Sequence, residues 1–245
     1  MTEVAASVCQ YEKAHREGWF GETLHPGGRS LTRHALELAG LPVNARVLDL
    51  GCGCGNAVAD LRMLGYRAIG VDRSLMLLEE ADSEKSLLAC ANGLELPFAS
   101  ASFQAVLAEC SLSLLRPTAS ALANIANLLV GGGTLIVSDL YARQPRQLTV
   151  LRSCLPESCV SHAFDADEFL SVLHENHFEF IHWEDHAELV RNMLQPESLP
   201  LIFGTQIESG NTLDMVLQIA QVKLSYFLCI AKKEHTLSIG QITGS

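Results

Sequence analysis

The stretch Val47-Leu48-Asp49-Leu50-Gly51-Cys52-Gly53-Cys54-Gly55-Asn56 decides the fold class of this chain. A short apolar strand ends near an acidic residue, and three glycines follow at alternate positions. Such a loop lets a ligand lie directly against the backbone, because no Cβ stands in the way. Asp72, seventeen residues after Gly55, ends a second strand-like run, Gly70-Val71-Asp72. Together the two runs predict a nucleoside-binding site.

The spacing of these glycines separates three kinds of nucleotide loop. A P-loop ends in Gly-Lys-Ser/Thr, whereas Gly55 is followed by Asn56-Ala57, so that interpretation fails. A dinucleotide fold has the pattern G-x-G-x-x-G, but the sixth position counted from Gly51 is Asn56. The fit to a nicotinamide-dependent reductase is therefore poor, and that class remains only as an alternative.

Strand-like and helix-like segments alternate along the chain. Candidate strands lie at 45–50, 67–71, 86–90, 103–109, 133–139, 177–183 and 223–231, and candidate helices at 3–18, 29–39, 55–64, 74–81, 117–129 and 165–176. Strands separated by helices form right-handed crossovers and a mainly parallel sheet. We expect an α/β, Rossmann-like sheet of seven mostly parallel strands with helices on both faces. No helix follows the last strand, which we expect to be the one antiparallel strand.

The segment 185–222 interrupts this alternation with several prolines and glycines. We interpret the chain as a single domain in four parts. Residues 1–40 would form an amino-terminal helical lid, 41–184 the ligand-binding core, 185–222 a helical cap or insertion, and 223–235 the final strand of the sheet.

Composition narrows the function classes. The net charge is −11, with 17 Lys and Arg against 28 Asp and Glu, so a basic face for nucleic acid is not expected. No apolar run approaches the roughly 18 residues of a membrane span, and the amino terminus lacks the pattern of a signal peptide. The 8 cysteines are scattered, which favours reduced thiols and a cytoplasmic location. We expect a monomer or homodimer.

Four blocks in order resemble a class I S-adenosylmethionine-dependent methyltransferase, over about residues 30–183 and the closing strand. They are Asp49-Leu50-Gly51-Cys52-Gly53-Cys54-Gly55, then Asp72, then Asn92-Gly93-Leu94-Glu95-Leu96-Pro97-Phe98 followed by Ser102-Phe103, and finally Gly131-Gly132-Gly133-Thr134-Leu135. The resemblance is to the small-molecule, UbiE-like or methyltransferase type 11 group. It implies S-adenosylmethionine as cofactor and a small-molecule acceptor, with a quinone or another lipid-like metabolite as one sub-case.

The resemblance also implies roles for individual residues. Asp72 would accept hydrogen bonds from the ribose hydroxyls, although an aspartate there can also cap the next helix. Asp49 would orient the cofactor's ammonium through a charge-assisted bond. Asn92 stands where the family usually has Asp and would accept from the adenine amino group, while Gly93 offers a backbone N–H. The full predicted cofactor-binding set is Asp49, Gly51, Cys52, Gly53, Gly55, Asp72, Arg73, Asn92, Gly93 and Glu109.

Residues near the transferred methyl are less well specified by the sequence. Glu109 follows the fourth strand, where the fold overlooks the sulfonium, and is our candidate base or substrate-orienting residue. A glutamate that only binds a loop is the simpler interpretation. In the amino-terminal lid, Tyr11, Trp19 and His25 could close over the site, or simply pack.

Two alternatives to a small-molecule methyltransferase stay open. One is a catalytically silent module that binds S-adenosylmethionine as a sensor or partner subunit. The other is an arsenite or metalloid methyltransferase, for which Cys154, Cys159 and His162 could hold the metalloid with Cys110 or Cys9 nearby. The Cys-x₄-Cys spacing is loose for zinc, so we expect no metal site.

Overall fold

A computed structural model describes residues 10–16, 24–81, 85–154, 159–193, 217 and 220–235. Within these residues the strands are β1 (Arg46–Leu50), β2 (Arg67–Asp72), β3 (Leu88–Cys90), β4 (Phe103–Glu109), β5 (Leu129–Ala142), β6 (Phe164–Asp165), β7 (Phe178–Asp185) and β8 (Leu224–Lys233). The helices are α1 (Gln10–Arg16), α2 (Gly28–Ala39), α3 (Asn56–Met63), α4 (Leu75–Glu79), α5 (Thr118–Leu128), α6 (Leu148–Cys154), α7 (Ala166–Glu175) and α8 (Ala187–Met193).

All strands belong to one sheet in the order β3-β2-β1-β4-β5-β8-β7, and β6 pairs with β5 off this path. Neighbours from β3 to β5 run parallel, whereas β8 is antiparallel to both β5 and β7. The prediction of a mostly parallel sheet of seven main strands, with the last one antiparallel, is confirmed. The two-residue β6 and the longer β5 were not predicted, since short pairings and strand extensions depend on partners distant in sequence.

Alternation along the strands divides the core into two layers. In β1, Val47 packs with Leu31, Ala35 and Leu61 of α2 and α3. Its neighbour Leu48 packs on the opposite face with residues of α5 and α7 such as Ile125 and Phe169. Adjacent side chains of a strand point to opposite faces, so a continuous apolar run requires cover on both. The expected helices on both faces are present.

The predicted division of the chain remains a prediction. Residues 10–16 of the amino-terminal lid form α1, and α2 follows from Gly28. In the proposed cap, α8 packs against the sheet through Val190, which is 2% exposed. Positions 194–216, 218 and 219 lie outside the described residues. Among the helices the structure describes, none has the length and apolar character needed to cross a bilayer.

Candidate active site

A cavity of about 540 Å³ lies at the carboxyl ends of the parallel strands. Strand order reverses between β1 and β4, and ligands of open α/β sheets bind outside this switch point. The lining comprises Tyr11, Leu24, His25, Arg29, Thr32, Asp49, Gly51, Cys52, Gly53, Cys54, Asn56, Ala57, Asp60, Asp72, Arg73, Ser74, Leu77, Asn92, Gly93, Leu94, Glu109, Cys110, Ser111, Leu114, Leu115, Arg116 and His162. Every predicted site residue is among them except Gly55 and Trp19.

Glycine is required at Gly51 and at Gly55, in the loop after β1, for different structural reasons. Gly51 has a φ of 85°, and an added Cβ would lie 2.4 Å from the Cβ of Ser111. Gly55 has a φ of 79° at the start of α3, and its Cβ would lie 2.8 Å from Leu88. Gly55 therefore serves packing and the chain turn and does not line the cavity. Trp19 lies outside the described residues.

Asp72, at the end of β2, is hydrogen-bonded to the loop it faces. Its Oδ2 accepts from the backbone N–H of Gly53 at 2.9 Å, and its Oδ1 accepts from the N–H of Ser74 at 2.8 Å. A carboxylate has about four acceptor sites, so capacity for a ligand's hydroxyls remains. Asp72 thus joins the two loops that its predicted ligand would bridge.

Asp49 has an unsatisfied atom directly at the cavity. The residue is 3% exposed, and its Oδ2 makes no hydrogen bond with the described residues. Burial raises the pKa of Asp49 well above its usual range, and the nearby carboxylates of Glu109 and Asp72 raise it further. A buried carboxylate oxygen without a donor is costly, and a cationic ligand in the cavity would satisfy it.

Glu109 lies in a small polar cluster built from two segments that are distant in sequence. The Thr32 hydroxyl on α2 donates to its carboxylate, with distances of 3.0 Å to Oε1 and 3.1 Å to Oε2. His25 places Nε2 3.5 Å from Glu109 Oε2. Burial raises the pKa of Glu109 to about 7, against the opposing effect of the Thr32 hydrogen bond. Burial also lowers the pKa of His25.

The part of the cavity where the adenine is predicted to bind is more exposed to solvent than the part around Asp49 and Glu109. Asn92 is exposed, and its side-chain oxygen accepts from the N–H of Leu94 at 3.1 Å, which forms a local turn. Gly93 is buried, and a Cβ there would lie 2.8 Å from Leu115, so glycine is also required for packing. Arg73 is exposed at the cavity edge.

Helix α1 lies across the cavity and contacts three of the loops that form it. The Tyr11 hydroxyl donates to the backbone oxygen of Cys110 at 3.2 Å, and Glu12 accepts from the Ser74 hydroxyl at 2.6 Å. His15 places Nδ1 3.7 Å from the sulfur of Cys54.

Cys52 packs on β2, since a Cβ at Gly70 would lie 2.7 Å from its sulfur. We therefore take Cys52 as a space-filling residue.

Two contributions were missing from the sequence-based site. Thr32 gave no pattern of its own, and the Arg29–Asp60 ion pair at 3.1 Å joins α2 to α3. The amphipathic pattern of α2 could have indicated that Thr32, buried among Leu31 and Ala35, faces inward.

Cysteines do not form a metal centre in the part of the chain described. No group of three or more His, Cys, Asp or Glu is arranged there to hold a metal ion. Cys110 lines the cavity, with its sulfur 3.2 Å from the hydroxyl of Tyr226. Cys9 and the side chains of Cys154 and Cys159 lie outside what the structure describes, whereas His162 lines the same cavity as Cys110. The metalloid alternative therefore stays a prediction.

The residues present suit S-adenosylmethionine, which carries an ammonium and a sulfonium. The cavity is lined by the carboxyl groups of Asp49, Asp72 and Glu109. One oxygen of Asp49 has no hydrogen-bond donor among the described residues. Arg29, Arg73 and Arg116 also line the cavity, and Arg29 is paired with Asp60. The carboxylates would complement the positive ammonium and sulfonium of the cofactor.

Comparison with known proteins agrees with this geometry. A family model described as "Methyltransferase domain" matches residues 48–137. An uncharacterized methyltransferase YodH of Bacillus subtilis is 35% identical over 127 residues, covering 49% of this chain and 54% of that protein. The O-methyltransferase rstn1 of Aspergillus nomiae is 28% identical over 76% of this chain and 86% of its own. A demethylmenaquinone methyltransferase of Corynebacterium urealyticum is 32% identical over 111 residues, which cover 45% of this chain and 47% of that protein.

Solved structures show the same fold. The phosphoethanolamine N-methyltransferase 2 of Haemonchus contortus, in complex with S-adenosyl-L-methionine, superposes with a TM-score of 0.71. It is 17% identical, and the match covers 94% of this chain and 59% of that one. The matches to YodH and to the Corynebacterium enzyme span only about half the length of those relatives. The ordered motifs, the sheet with its antiparallel strand and the cavity at the switch point make the chain similar to class I S-adenosylmethionine-dependent methyltransferases, and the methyltransferase-domain model covers residues 48–137 of its 245.

Proposed function

We propose that this protein binds S-adenosylmethionine in the described cavity and transfers its methyl group to a small-molecule acceptor. The observation that carries the proposal is the buried Oδ2 of Asp49, which has no donor among the described residues and faces the cavity with Asp72 and Glu109. When bound, the cofactor supplies a methyl group already activated by its sulfonium. The protein's task is to hold and align the two reactants.

The cofactor would be held by the loops that follow β1, β2 and β3. Asp49 would accept from the ammonium, and Asp72, already aligned by Gly53 and Ser74, from the ribose hydroxyls. Gly93 would offer its N–H to the adenine, and Asn92 its side-chain oxygen. Gly51, Gly53 and the neighbouring Cys52 would allow close backbone approach, with Arg73 at the edge. Tyr11 and His25 would close the opposite side.

A small molecule as acceptor is supported by the relatives and by charge. One long match is to an O-methyltransferase and another relative acts on demethylmenaquinone. The net charge of −11 opposes binding to a nucleic acid backbone. We also propose a cytoplasmic location, supported by free cysteines at positions 52, 54, 90, 110 and 229, and a monomer or homodimer, which size-exclusion chromatography with light scattering would test.

Thermal shift and calorimetry with S-adenosylhomocysteine test the proposal directly. A ligand at 100 times its dissociation constant stabilises the folded protein by roughly 2.7 kcal/mol, enough for a clear rise in melting temperature. We expect such a rise with S-adenosylhomocysteine and none with NAD. A rise with NAD alone would favour a reductase. Binding of S-adenosylhomocysteine without methylated product from any metabolite pool would favour a silent binding module.

A further inference from the structure

We infer that Glu109 is the general base for a phenolic or enolic hydroxyl acceptor, with Thr32 and His25 as its positioning residues. The inference rests on the proposed methyl transfer and concerns the other end of the same cavity. Its basis is a cluster in which one buried carboxylate is contacted by a hydroxyl 77 positions away in sequence and by an imidazole.

The geometry fixes Glu109 at the cavity wall. Its side chain is 5% exposed, and that of His25 is 12% exposed, so both are shielded from bulk water. Thr32 holds both carboxylate oxygens from α2 at 3.0 and 3.1 Å. A general base has to be held within reach of the proton it takes, and this cluster restrains the carboxylate from two sides.

His25 can accept the proton from Glu109. Its Nδ1 lies 3.2 Å from the backbone oxygen of Pro26, so an Nδ1–H donates there and leaves the Nε2 lone pair toward Glu109. A proton on Glu109 can then pass to Nε2 of His25. Asp49 is the carboxyl group that interacts with Glu109 through its charge, and the same cavity is lined by the charged or titratable residues Arg29, Asp60, Asp72, Arg73, Arg116 and His162.

The acidity of the acceptor group, compared with that of Glu109, indicates the class of acceptor. A carboxylate whose pKa is near 7 deprotonates a hydroxyl of phenol type, with a pKa of about 10, far more readily than an aliphatic alcohol. A thiol ionises near neutral pH without such a base. An amine among Asp49, Asp72 and Glu109 would be held as its ammonium, which is not a nucleophile.

The walls beside Glu109 fit a flat, apolar acceptor. Cys110 is its chain neighbour, Tyr11 is hydrogen-bonded to the backbone of Cys110, and Leu24 precedes His25. Tyr11 provides an aromatic surface, and Cys110 and Leu24 provide apolar surfaces. An ionised Glu109 beside them would repel an acceptor that carries a carboxylate.

The proposed step is balanced. The acceptor's O–H bond breaks, and its proton goes to a carboxylate oxygen of Glu109. The oxygen's electron pair forms the new bond to the methyl carbon, while the bond from that carbon to sulfur breaks and its pair stays on sulfur. The proton passes to His25, which restores the ionised carboxylate for the next turnover.

The activity test uses catechol, 4-nitrophenol and 1,4-naphthohydroquinone, with hexanol, hexylamine and hexanethiol for comparison. We expect the cofactor-loaded parent to methylate the phenols, with a rate that rises with pH through an ionisation near neutrality. Glu109→Gln should lose about 10² to 10⁴ in kcat, with a far smaller change in the Kd of S-adenosylhomocysteine. Methylation of only the amine, alcohol or thiol, or of no probe at all, would overturn the acceptor class.

The variant Thr32→Val tests whether Thr32 positions Glu109 through its hydroxyl or only fills space, because valine keeps the shape and lacks the hydroxyl. The Thr32 hydrogen bond lowers the pKa of Glu109, so its loss should move the rising limb of the pH profile to higher pH, and Thr32→Ser should restore it. Ser30→Ala, which removes an exposed hydroxyl from the same helix, is the matched control and should leave the profile in place.

Infrared difference spectra provide a readout that needs no turnover. Between pH 6 and 8 the parent should show buried carboxyl groups losing their protons, and Glu109→Gln should lose only the share of that signal that Glu109 contributes, because burial also raises the pKa of Asp49 and Asp139. Identical spectra for the two proteins, or full phenol methylation by Glu109→Gln, would refute the role of Glu109. Failure of the parent to bind S-adenosylhomocysteine would instead refute the proposed function, while the infrared result would still report on Glu109.

Discussion

Single carboxylates dominate the chemistry of this cavity, and each has a different environment. Asp72 has its two oxygens bound by backbone N–H groups, whereas Asp49 keeps one oxygen buried without a donor. Glu109 has a hydroxyl donor and an imidazole neighbour. Because a buried charge is stabilised only by its partners, these differences are consistent with the proposed roles, in which Asp49 and Asp72 bind the cofactor and Glu109 takes a proton.

Asp49→Asn should weaken cofactor binding without unfolding the protein. The amide has nearly the same shape but lacks the charge that attracts an ammonium. Hydrogen bonds to charged groups contribute about 1.5–3 kcal/mol, so we expect a roughly 10- to 150-fold higher Kd for S-adenosylhomocysteine by calorimetry. The exposed Glu179→Gln on β7 removes a charge far from the cavity and serves as control. Equal affinities for parent and Asp49→Asn would contradict the assignment.

Gly51→Ala should destabilise the protein more than Gly40→Ala. Both glycines have a positive φ, 85° and 55°, so both replacements carry the left-handed penalty. A Cβ at Gly40 meets nothing within 4 Å, whereas at Gly51 it would meet Ser111 at 2.4 Å. We expect an additional loss of about 1–3 kcal/mol for Gly51→Ala in urea unfolding. Similar losses for the two variants would mean that the loops after β1 and β4 are not in close contact.

Among the elements, α1 is held by polar contacts to the cavity loops and by packing of Tyr11 against the core. Its seven described residues are too few for a stable isolated helix. The contacts of Tyr11, Glu12 and His15 reach the loops after β4, β2 and β1 respectively. A helix held in this way can release a ligand without disturbing the sheet, which agrees with the predicted lid.

Removing these contacts should speed ligand release. For the double variant Tyr11→Phe with Glu12→Ala, two hydrogen bonds of about 0.5–1.5 kcal/mol each are lost. We expect S-adenosylhomocysteine to dissociate about tenfold faster in stopped-flow displacement. The unfolding free energy should change little, because the contacts lie outside the core. Arg16→Ala, at the exposed end of α1, is the control. An unchanged dissociation rate would argue against a lid.

At the scale of the whole molecule, the sheet concentrates buried acids at its carboxyl edge. Burial raises the pKa of Glu109 to about 7 and that of Asp139, which binds Ser113, to about 6. For an acid with a raised folded-state pKa, stability is lost as pH rises from the unfolded to the folded value. The ligand-free protein therefore retains an electrostatic cost at neutral pH that a cationic ligand would offset.

This cost should appear as a pH-dependent difference between parent and Glu109→Gln. Below about pH 4.5 both side chains are neutral, so their melting temperatures should be close. Toward pH 8 the parent should become less stable than the variant, by an amount on the order of 3 kcal/mol as an upper bound. Melting temperatures without ligand from pH 4.5 to 8 measure this. A constant difference across that range would show that Glu109 titrates normally.

The sequence by itself predicted the order of the seven main strands, most of the helices between them and most of the loop after β1, because apolar periodicity and glycine spacing are local features. The antiparallel last strand was predicted because no helix follows it. Helix α6 and strand β6 were not predicted. The packing role of Gly55 and the cluster of Thr32, His25 and Glu109 were decided by the tertiary structure. Residues 77 positions apart meet there only because α2 packs over the end of β4, an arrangement that no local pattern encodes.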